Sequence, residues 1–361
     1  MRVLIVTGAS GGHIFPAVSF IQALKEKDSG IDALLVLPER GLKPGVSLGD
    51  CKIKYISTAT ITAGITPANI LALAKFLKGA WESFNIIIEF KPDLVVGFGS
   101  LDSIPCVLIA WFFRIKTMIH EQNVLPGKAN RLLARFVDRV AVSFAESEYY
   151  FSLNRQKLTL TGNPLRKQIK KIDKARALDF FGLAKDKFTI LVMGGSRGSR
   201  NINSGFLKAV SKLGSLSAMQ VIHLAGSGDF EDIKESYRRM NLSARVFDFL
   251  GDIEQAYSAS DLVVSRAGAT SISELIFFEI PAVISPYPFA YAHQLKNASI
   301  LKDKGCAIVI SDDELDKDIL KLTFQALVND RVKLESMRLG FSSLSGGSAS
   351  DLLVDAALSL K

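Results

Sequence analysis

Short apolar runs alternate with longer segments of helical periodicity along almost the whole chain. The runs are rich in aliphatic and β-branched residues, and several are followed at once by glycine or proline, which is typical of buried strands. Strands that alternate with helices in this way predict an α/β fold with parallel sheets covered on both faces. The candidate strands are Val3–Thr7, Ala33–Leu37, Lys54–Ser57, Leu94–Val96, Thr117–His120, Arg139–Val142, Leu158–Leu160, Thr189–Met193, Gln220–Leu224, Arg245–Asp248, Leu262–Ser265, Ala282–Ser285 and Ala307–Ile310.

One arrangement of strand, glycine-rich turn and helix occurs twice. The first strand leads into Gly8-Ala9-Ser10-Gly11-Gly12-His13, and the strand Thr189–Met193 leads into Gly194-Gly195-Ser196-Arg197-Gly198-Ser199-Arg200. Such a turn presents backbone N–H groups at a helix N-terminus, where an anion is favoured. The second turn lacks the Lys-Ser/Thr pair of a Walker loop and the full glycine set of a dinucleotide fingerprint, so we interpret it as a diphosphate site. Two copies about one domain apart predict two Rossmann-like domains with a cleft between them.

The break between these domains is predicted at Gly162-Asn163-Pro164, where Asn-Pro ends a strand. We therefore expect an N-terminal domain over residues 1–163 and a C-terminal domain over residues 164–340. A Ser/Gly-rich segment, Ser342–Gly347, precedes a last amphipathic helix from about Ala349 to Leu360. We expect this C-terminal segment, residues 341–361, to pack back on the first domain.

Charge indicates the class of ligand, and the cysteines indicate the redox compartment. The net charge is +8, with basic residues dispersed apart from the run Arg166–Lys171, which favours phosphate ligands or an anionic lipid surface. No nucleic-acid-binding module is recognisable, so we expect no nucleic acid partner. Cys51, Cys106 and Cys306 have no metal-binding spacing, which predicts buried free thiols in a reducing compartment. The longest apolar run, Ile104 to Phe113, has ten residues, whereas a membrane-spanning helix needs ~20.

Polar residues at the predicted strand ends are the candidates for chemistry. His13 opens the first helix directly after two glycines, where it is either a proton-transfer group or a structural histidine bonded to backbone. His120-Glu121-Gln122-Asn123 lies at another strand end, as a ligand-binding segment or as a capped loop.

In the second half, Ser265–Glu274 follows a strand and is longer than a helix cap needs. We interpret it as a ligand-binding segment in which Glu274 takes the hydroxyls of a ribose, although Ser271 as a helix cap is the alternative. Gln294 is a candidate sugar contact or a solvated helix residue.

Aromatic and basic residues cluster in the first half. Trp81 and the segment Trp111–Arg114 stand near Lys75, Lys78 and Lys116, which indicates either an interfacial patch for an anionic membrane or ordinary core packing with exposed lysines.

Taken together, the motifs resemble the MurG family of bacterial peptidoglycan glycosyltransferases along essentially the whole chain. The residues that carry the resemblance are Gly8–Ala17, Gly97–Ser100, His120–Asn123, Gly162–Arg166, Gly194–Gly198 and Arg266–Glu274. The resemblance implies a GT-B fold of two Rossmann-like domains whose parallel sheets face each other across a cleft. It implies an inverting transfer, without metal or cofactor, of N-acetylglucosamine from UDP-N-acetylglucosamine to the 4-hydroxyl of the N-acetylmuramoyl unit of lipid I, which forms lipid II.

The resemblance also implies roles for individual residues. His13 is the candidate base, with Glu121 as the alternative. The donor-sugar and acceptor side is lined by Ser10, Gly11, Gly12 and Asn123, and the diphosphate is met by Arg166 and Ser196. The backbone of Leu250 reads the uracil, Ala269, Thr270 and Ser271 line the nucleotide, Glu274 holds the ribose, and Gln294 holds the N-acetylglucosamine hydroxyls.

The family docks peripherally on the cytoplasmic face of the cell membrane through an apolar patch ringed by basic residues. Trp81 and Trp111 with Lys75 and Lys78 are the plausible counterparts here, and cell-wall synthesis proteins are further expected partners. Two rival functions stay open: another GT-B UDP-sugar transferase acting on a lipid acceptor, and a non-catalytic nucleotide-binding scaffold.

The chain departs from the usual family pattern at a few positions. Ala9 and Ser10 stand where glycine and threonine are usual, and Ser10 keeps the hydroxyl. Ser100-Leu101-Asp102-Ser103-Ile104-Pro105 replaces Gly-Tyr-x-Ser-x-Pro, which adds a carboxylate at Asp102 on the acceptor side. His293 occupies a position where glutamine is common.

Overall fold

The structure, a computed structural model, describes residues 1–40, 51–58, 67–151, 155–195, 198–214, 216–290, 292–328, 330–344 and 346–360. The chain divides into two compact units. Unit 1 comprises Met1–Lys167 and Gly346–Lys361, and unit 2 comprises Gln168–Ser345. The divisions fall after Lys167 and after Ser345, whereas the sequence predicts them after residues 163 and 340.

Unit 1 contains a parallel sheet of seven strands in the order β3-β2-β1-β4-β5-β6-β7. Its strands are β1 Arg2–Val6, β2 Asp32–Pro38, β3 Lys52–Ile56, β4 Leu94–Gly97, β5 Lys116–Glu121, β6 Arg139–Val142 and β7 Leu158–Leu160. Unit 2 contains a parallel sheet of six strands in the order β10-β9-β8-β11-β12-β13. Its strands are β8 Phe188–Met193, β9 Met219–Leu224, β10 Ala244–Phe247, β11 Leu262–Ser265, β12 Ala282–Ile284 and β13 Ala307–Val309.

Helices connect the strands and cover the sheets. They are α1 Gly11–Lys27, α2 Pro67–Phe90, α3 Ile104–Phe112, α4 Lys128–Leu133, α5 Lys174–Phe181, α6 Arg200–Ser211, α7 Phe230–Arg239, α8 Ile253–Ala259, α9 Ala269–Phe278, α10 His293–Asp303, α11 Ile319–Val328, α12 Arg331–Leu339 and α13 Ala349–Leu358. Short 3₁₀ turns lie at Leu101–Ser103, Ala145–Tyr150, Arg155–Lys157, Asp312–Glu314 and Gly340–Ser343.

The strands are apolar throughout because both faces of each sheet are covered. In β1, Val3 and Ile5 belong to one core cluster, while Leu4 and Val6 belong to another on the opposite face. A parallel strand buried on both sides therefore needs a continuous apolar run, and that is the signal in the sequence. Each predicted strand is present, with ends that move by no more than two residues.

The last helix, α13, packs on α1 within unit 1. Leu353 and Val354 enter the same core cluster as Phe20, and Lys27 Nζ lies 2.8 Å from Asp355 Oδ1. Gly162 passes close to this helix, since a Cβ on that glycine would lie 2.9 Å from Ala349 Cβ. The chain thus returns to unit 1 after unit 2 is complete.

The prediction that the three cysteines are buried free thiols is confirmed in part. All three cysteines are free, and Cys106 and Cys306 are buried as expected, but Cys51 is only half-buried because it precedes the edge strand β3. Within the described residues, no helix combines the length and the apolar character needed to cross a bilayer.

Candidate active site

The strand order of unit 1 reverses at β1, which pairs with β2 on one side and β4 on the other. Loops that follow such neighbouring strands diverge, and open α/β sheets bind ligands in the space that this creates. Here the two loops are Gly8–Ser10, after β1, and Phe98–Ser100, after β4. The predicted glycine-rich turn therefore lies at the position where the topology favours a ligand.

His13 lies in the first turn of α1 and is partly exposed. Ser10, the residue at the N-cap of this helix, makes no side-chain bond to the helix backbone; its Oγ lies 2.7 Å from His13 Nδ1 instead. The ring also rests close to Gly99, because a Cβ there would lie 3.3 Å from His13 Cδ2 and 3.4 Å from Nε2. Gly99 has φ +82°, so glycine serves both the turn and the close approach of the imidazole.

Asp102, the acidic departure from the family pattern, forms an ion pair beside this loop with Arg40, whose side chain is 38% exposed. The carboxylate of Asp102 is almost fully buried, and its Oδ1 lies 3.0 Å from Nη2 of Arg40. Ser100 Oγ donates to Asp102 Oδ2 at 2.9 Å, and Ser100 adopts φ +70° where the family pattern has glycine. A Cβ on Gly8 would lie 2.4 Å from Ser100 Cβ, so the glycine at position 8 leaves the space that Ser100 fills.

Glu121 ends strand β5 and is buried. Its Oε1 accepts from the backbone N–H of Asn123 at 2.9 Å, and its Oε2 accepts from the N–H of Gly127 at 3.0 Å and from Asn130 Nδ2 at 2.8 Å. Asn123 Nδ2 adds a fourth contact at 3.2 Å. These bonds fix the loop from Gln122 to Gly127, as in the capped-loop interpretation, and they occupy both carboxylate oxygens.

His120 is fully buried under this loop as a neutral imidazole. Burial lowers its pKa to about 4, the nearby His13 acts in the same direction, and the hydrogen bond to Gly162 opposes both. The carbonyl of Gly162 can only accept, so His120 Nε2 carries the proton and donates at 3.0 Å, while Nδ1 accepts from Gln122 Nε2 at 3.1 Å. His120 is therefore a structural residue.

Amide groups around His120 have unused hydrogen-bonding capacity. Gln122 Oε1, Asn130 Oδ1 and both polar atoms of Asn163 are buried and have no protein partner. Buried polar atoms of this kind are normally satisfied by water or ligand. Their clustering at the carboxyl edge of the sheet marks a polar region beside the glycine-rich turn.

Arg166 belongs to unit 1, although the sequence places it in the second domain. Its guanidinium carbon lies 5.0 Å from the centre of the Phe15 ring on α1, a cation–π contact. A Cβ on Gly11 would lie 3.0 Å from the same ring. Arg166 thus stands beside the first glycine-rich turn, with its charge held on an aromatic face.

Unit 2 repeats the reversal of strand order at β8, which pairs with β9 and β11. The turn after β8 is tight: a Cβ on Gly194 would lie 2.2 Å from Ser199 N, and one on Gly198 would lie 2.3 Å from Ala225 O. Ser199 caps α6 by accepting from the N–H of Ile202. Ser196, the predicted diphosphate contact, lies outside the described residues, as does Arg197.

Arg266, directly after β11, links the loops that follow four adjacent strands. Its guanidinium donates to Ser199 Oγ at 2.7 Å after β8, to Ser285 O at 3.1 Å after β12, and to Asp312 after β13. Both side chains of the Arg266–Asp312 ion pair are nearly buried, at 9% and 12% exposure. Asp312 also accepts from Asn201 Nδ2 at 2.5 Å, so this pair reaches the start of α6 at two points.

The predicted nucleotide segment forms the start of α9. Its N-cap is Gly268, so Ser271 lies inside the helix and the capping interpretation is wrong. Thr270 Oγ1 is buried without a protein partner. Glu274 is buried and accepts a hydrogen bond at 2.9 Å from the phenol of Tyr257.

Gln294 and Leu250 are the remaining predicted donor contacts. Gln294 Oε1 accepts from the N–H groups of Ala267 at 3.2 Å and Tyr287 at 2.8 Å, so two loops orient the side-chain amide. Leu250 lies in the loop between β10 and α8 and is half-buried.

Both sequence halves match a known domain family. Residues 3–142 match the Glycosyltransferase family 28 N-terminal domain, and residues 189–349 match its C-terminal domain. A UDP-N-acetylglucosamine–N-acetylmuramyl-(pentapeptide) pyrophosphoryl-undecaprenol N-acetylglucosamine transferase of Listeria monocytogenes is 35% identical over 100% of this chain and 99% of its own length. The enzyme of the same name from Desulfitobacterium hafniense is 37% identical over 99% of both chains. This chain belongs to the MurG family.

One solved structure agrees with this membership of the MurG family, and another shows the same fold. The crystal structure of Acinetobacter baumannii MurG matches with a TM-score of 0.78 at 25% identity, covering 99% of this chain and 100% of that one. A UDP-GlcNAc 2-epimerase from Neisseria meningitidis matches with a TM-score of 0.68 at 15% identity, covering 99% and 100%, a likeness of fold alone. The predicted GT-B class, with two Rossmann-like domains, is confirmed.

The apolar surface predicted from Trp81 and Trp111 is present in unit 1. Trp81 on α2 and Phe112 on α3 are 64% and 75% exposed, and Trp111 and Phe113 are exposed as well. Phe84 joins the two helices, with ring centres 5.7 Å from Trp81 and 6.0 Å from Phe113. Leu73 and Leu77 extend the surface along α2 at helical spacing, and the exposed Lys75 and Lys78 flank it. We call this set of side chains the α2/α3 aromatic surface.

Sequence reasoning missed the side chains that hold the candidate site together. Arg266 belongs to one of the sequence motifs without a predicted role, and none of the motifs includes Tyr257, Asp312 or Arg40. Arg40 and Asp102 form an ion pair between the loops after β2 and β4. Tyr257 on α8 donates a hydrogen bond to Glu274 on α9. The one signal in the sequence was a charged residue one to three positions after a predicted strand. This holds for Arg266, Arg40 and Asp312, but it also holds for many solvated loop residues.

Proposed function

We propose that this chain transfers N-acetylglucosamine from UDP-N-acetylglucosamine to the 4-hydroxyl of the N-acetylmuramoyl unit of lipid I, with inversion at the anomeric carbon. The observation that carries the proposal is the contact between Ser10 and His13 at the reversal point of a family 28 N-terminal domain. The relatives named for this reaction match the chain over its whole length.

His13 serves as the general base. Ser10 Oγ lies 2.7 Å from Nδ1. In the tautomer that this role requires, Nδ1 carries the proton and donates to that hydroxyl, and Nε2 takes the proton of the acceptor hydroxyl. As that proton leaves, the acceptor oxygen forms a bond to the anomeric carbon, and the bond from that carbon to the phosphate oxygen breaks toward UDP. Ser10, Gly11, Gly12 and Asn123 line the sugar side of this step.

Glu121 acts as a positioning residue in this proposal. Both of its carboxylate oxygens already accept hydrogen bonds from the loop that carries Asn123. Proton transfer to Glu121 would therefore cost the loop two or more of these bonds, so His13 is the better base.

The donor is bound by groups of opposite charge and by polar contacts. Arg166, Ser196 and the N–H groups at the start of α6 stabilise the charge that develops on the leaving diphosphate, the role that a metal has in other transferases. The Leu250 backbone, Ala269, Thr270 and Ser271 bind the nucleotide, Glu274 binds the ribose, and the NH₂ of Gln294 donates to the hydroxyls of the sugar.

Radiolabel transfer from UDP-N-acetylglucosamine to a lipid I analogue tests this function. We expect transfer in the presence and absence of a chelator, and a loss of about 10²- to 10⁴-fold in kcat for His13→Ala. His293→Ala, at a half-buried position in unit 2, is a control for the loss of a histidine.

Three results would contradict the proposal. Transfer that stops with chelator would refute the metal-free mechanism. UDP release with diacylglycerol but not with lipid I would support another lipid glycosyltransferase, and UDP binding without any turnover would support a nucleotide-binding scaffold.

The α2/α3 aromatic surface is proposed to hold the protein on the cytoplasmic face of the cell membrane, next to its lipid-linked acceptor. Exposed aromatic rings favour the interfacial region of a bilayer, and the flanking Lys75 and Lys78 favour anionic lipids. The surface is also a candidate contact for cell-wall synthesis proteins. Binding of the purified chain to lipid vesicles distinguishes a membrane contact from a contact with another protein.

Sedimentation with phosphatidylglycerol-containing vesicles tests the membrane contact. We expect Trp81→Ser combined with Phe112→Ser to lower vesicle binding about tenfold or more. The double variant lacks two large apolar side chains whose transfer from water into the bilayer favours binding. Phe180→Ser, an exposed aromatic residue of unit 2, is the matched control. Wild-type binding that is equal on anionic and zwitterionic vesicles and insensitive to both substitutions would refute the contact.

A further inference from the structure

We propose that Tyr257 is a positioning residue for donor recognition, which holds the carboxylate of Glu274 in the orientation that binds the ribose. The inference rests on the proposed function, because it concerns the nucleotide contact assigned there to Glu274. It adds a residue from α8 that belongs to none of the motifs that resemble the family.

The contact between the two side chains is direct and buried. Tyr257 Oη donates to Glu274 Oε2 at 2.9 Å, and Tyr257 is fully buried. Its ring stacks on Phe278 of α9, with centres 5.0 Å apart and planes 17° from parallel. The same phenol lies 3.5 Å from Met193 Sδ at the end of β8, so the side chain connects its own helix, α8, to α9 and β8.

A phenol suits this task better than a cation. A carboxylate has two oxygens, and a hydrogen bond to one of them fixes the plane in which the other can accept. An arginine or lysine would neutralise the charge, whereas a tyrosine is a neutral donor and leaves the carboxylate a strong acceptor. Because Glu274 is buried, its hydrogen bonds to a ligand are less weakened by water than they would be at the surface.

This geometry predicts selectivity for ribose over 2′-deoxyribose. A carboxylate oriented in advance loses little side-chain entropy when it accepts from the ribose hydroxyls. A donor that lacks the 2′-hydroxyl leaves part of this buried acceptor unsatisfied, so it binds less well. Tyr257 contributes to this selectivity only through Glu274.

The experiment compares UDP-N-acetylglucosamine with its 2′-deoxyuridine analogue as donors for transfer to a lipid I analogue. We expect the wild type to prefer the ribose donor by about 10- to 100-fold in kcat/KM, the value of one or two hydrogen bonds to a buried charge. Tyr257→Phe should reduce this preference by about fivefold or more, through a higher KM for the ribose donor with kcat changed by less than about twofold.

Tyr237→Phe provides a matched control in the same unit. Tyr237 is equally buried, and its hydroxyl lies 2.7 Å from His223 Nδ1, away from Glu274 in the hydrogen-bond network. Its loss removes a comparable buried hydrogen bond, so any general loosening of unit 2 appears in both variants. The donor preference of Tyr237→Phe should equal that of the wild type.

A double-mutant cycle with Glu274→Gln supplies the second measurement. If Tyr257 acts through Glu274, the double variant should show the donor preference of Glu274→Gln alone. Wild-type preference in Tyr257→Phe, or equal loss in Tyr257→Phe and Tyr237→Phe, would overturn the inference while the proposed function stands. A wild-type protein without UDP-N-acetylglucosamine-dependent transfer would refute the proposed function itself, and the inference with it.

Discussion

The hydroxyl of Ser10 lies 2.7 Å from Nδ1 of His13, so the N-cap residue of α1 is bonded to an imidazole rather than to the helix backbone. A serine at an N-cap ordinarily accepts from a backbone N–H and stabilises the helix by about 1 kcal/mol. Here that stabilisation is absent, and the hydroxyl orients the imidazole of His13 instead. The family's usual threonine offers the same hydroxyl at this position.

Ser10→Ala is therefore expected to lower kcat for N-acetylglucosamine transfer by about tenfold, since one hydrogen bond of about 1.4 kcal/mol orients the base. The melting temperature should hardly change because the hydroxyl does not cap the helix. Ser10→Thr should retain wild-type kcat. Equal activity of the alanine and threonine variants would show that the contact has no part in catalysis.

Two buried histidines predict how stability depends on pH. Burial lowers the pKa of His120 to about 4 and that of His223 to about 3. In the unfolded chain each imidazole has its ordinary pKa near 6.5, so the unfolded state binds more protons below that pH. The free energy of unfolding should thus fall as the pH drops from about 6.5 toward about 4, by up to about 1.4 kcal/mol per pH unit for each histidine.

Calorimetry at about pH 7 and about pH 5 measures this effect. His120 lies in unit 1 and His223 in unit 2, so both units should melt at lower temperature at the lower pH. His223→Gln should flatten the pH dependence of unit 2 and leave that of unit 1 unchanged. A melting temperature that stays constant over this range would contradict the neutral buried state of both rings.

The backbone architecture was predictable because its signal is local. A parallel strand covered on both faces needs an uninterrupted apolar run, and the turn at a reversal point needs small residues, so Val3–Thr7 followed by Gly8 identifies both features. The strand ends were not predictable to the residue, because backbone pairing rather than side-chain type decides that Lys52 belongs to β3.

The side-chain network was not predictable because its signal is distant. Asp102, which lies after β4, forms an ion pair with Arg40, which lies after β2. Arg266, which lies after β11, forms an ion pair with Asp312, which lies after β13. A single sequence does not indicate which charged residues after strands will pair. The domain boundary was not predictable for the same reason. Arg166 follows the predicted boundary at Asn163-Pro164, yet its guanidinium packs on Phe15 of unit 1.

Asp312→Asn is expected to raise the KM for UDP-N-acetylglucosamine several-fold. The substitution leaves the nearly buried guanidinium of Arg266 without its countercharge, and the loss of one partner of a buried ion pair costs about 3–5 kcal/mol. Because Arg266 also donates to the Ser199 hydroxyl at the N-cap of α6, the proposed diphosphate loop should lose order.

The control for this change is Asp318→Asn, which breaks the exposed ion pair with Lys212 in the same unit. An exposed pair contributes about 0–1 kcal/mol, so the control should keep the wild-type KM and melting temperature. Isothermal titration should show weaker binding of UDP but unchanged binding of uridine in Asp312→Asn. Equal losses for UDP and uridine would indicate a general loss of structure instead of a loosened diphosphate loop.

Gly79→Ala tests the attachment of α2 to the sheet, which supports the α2/α3 aromatic surface. A Cβ at this position would lie 2.1 Å from the carbonyl oxygen of Ser57, a backbone atom that follows β3 and cannot move without displacing the strand end. Overpacking of this kind costs about 1–3 kcal/mol, so unit 1 should melt several degrees lower and vesicle binding should weaken with it.

Gly214→Ala is the matched control, because a Cβ at this position would contact nothing within 4 Å. It should leave the melting temperature and the vesicle binding unchanged. If Gly79→Ala keeps the wild-type melting temperature, α2 does not need to approach β3 this closely, and the aromatic surface does not depend on that contact.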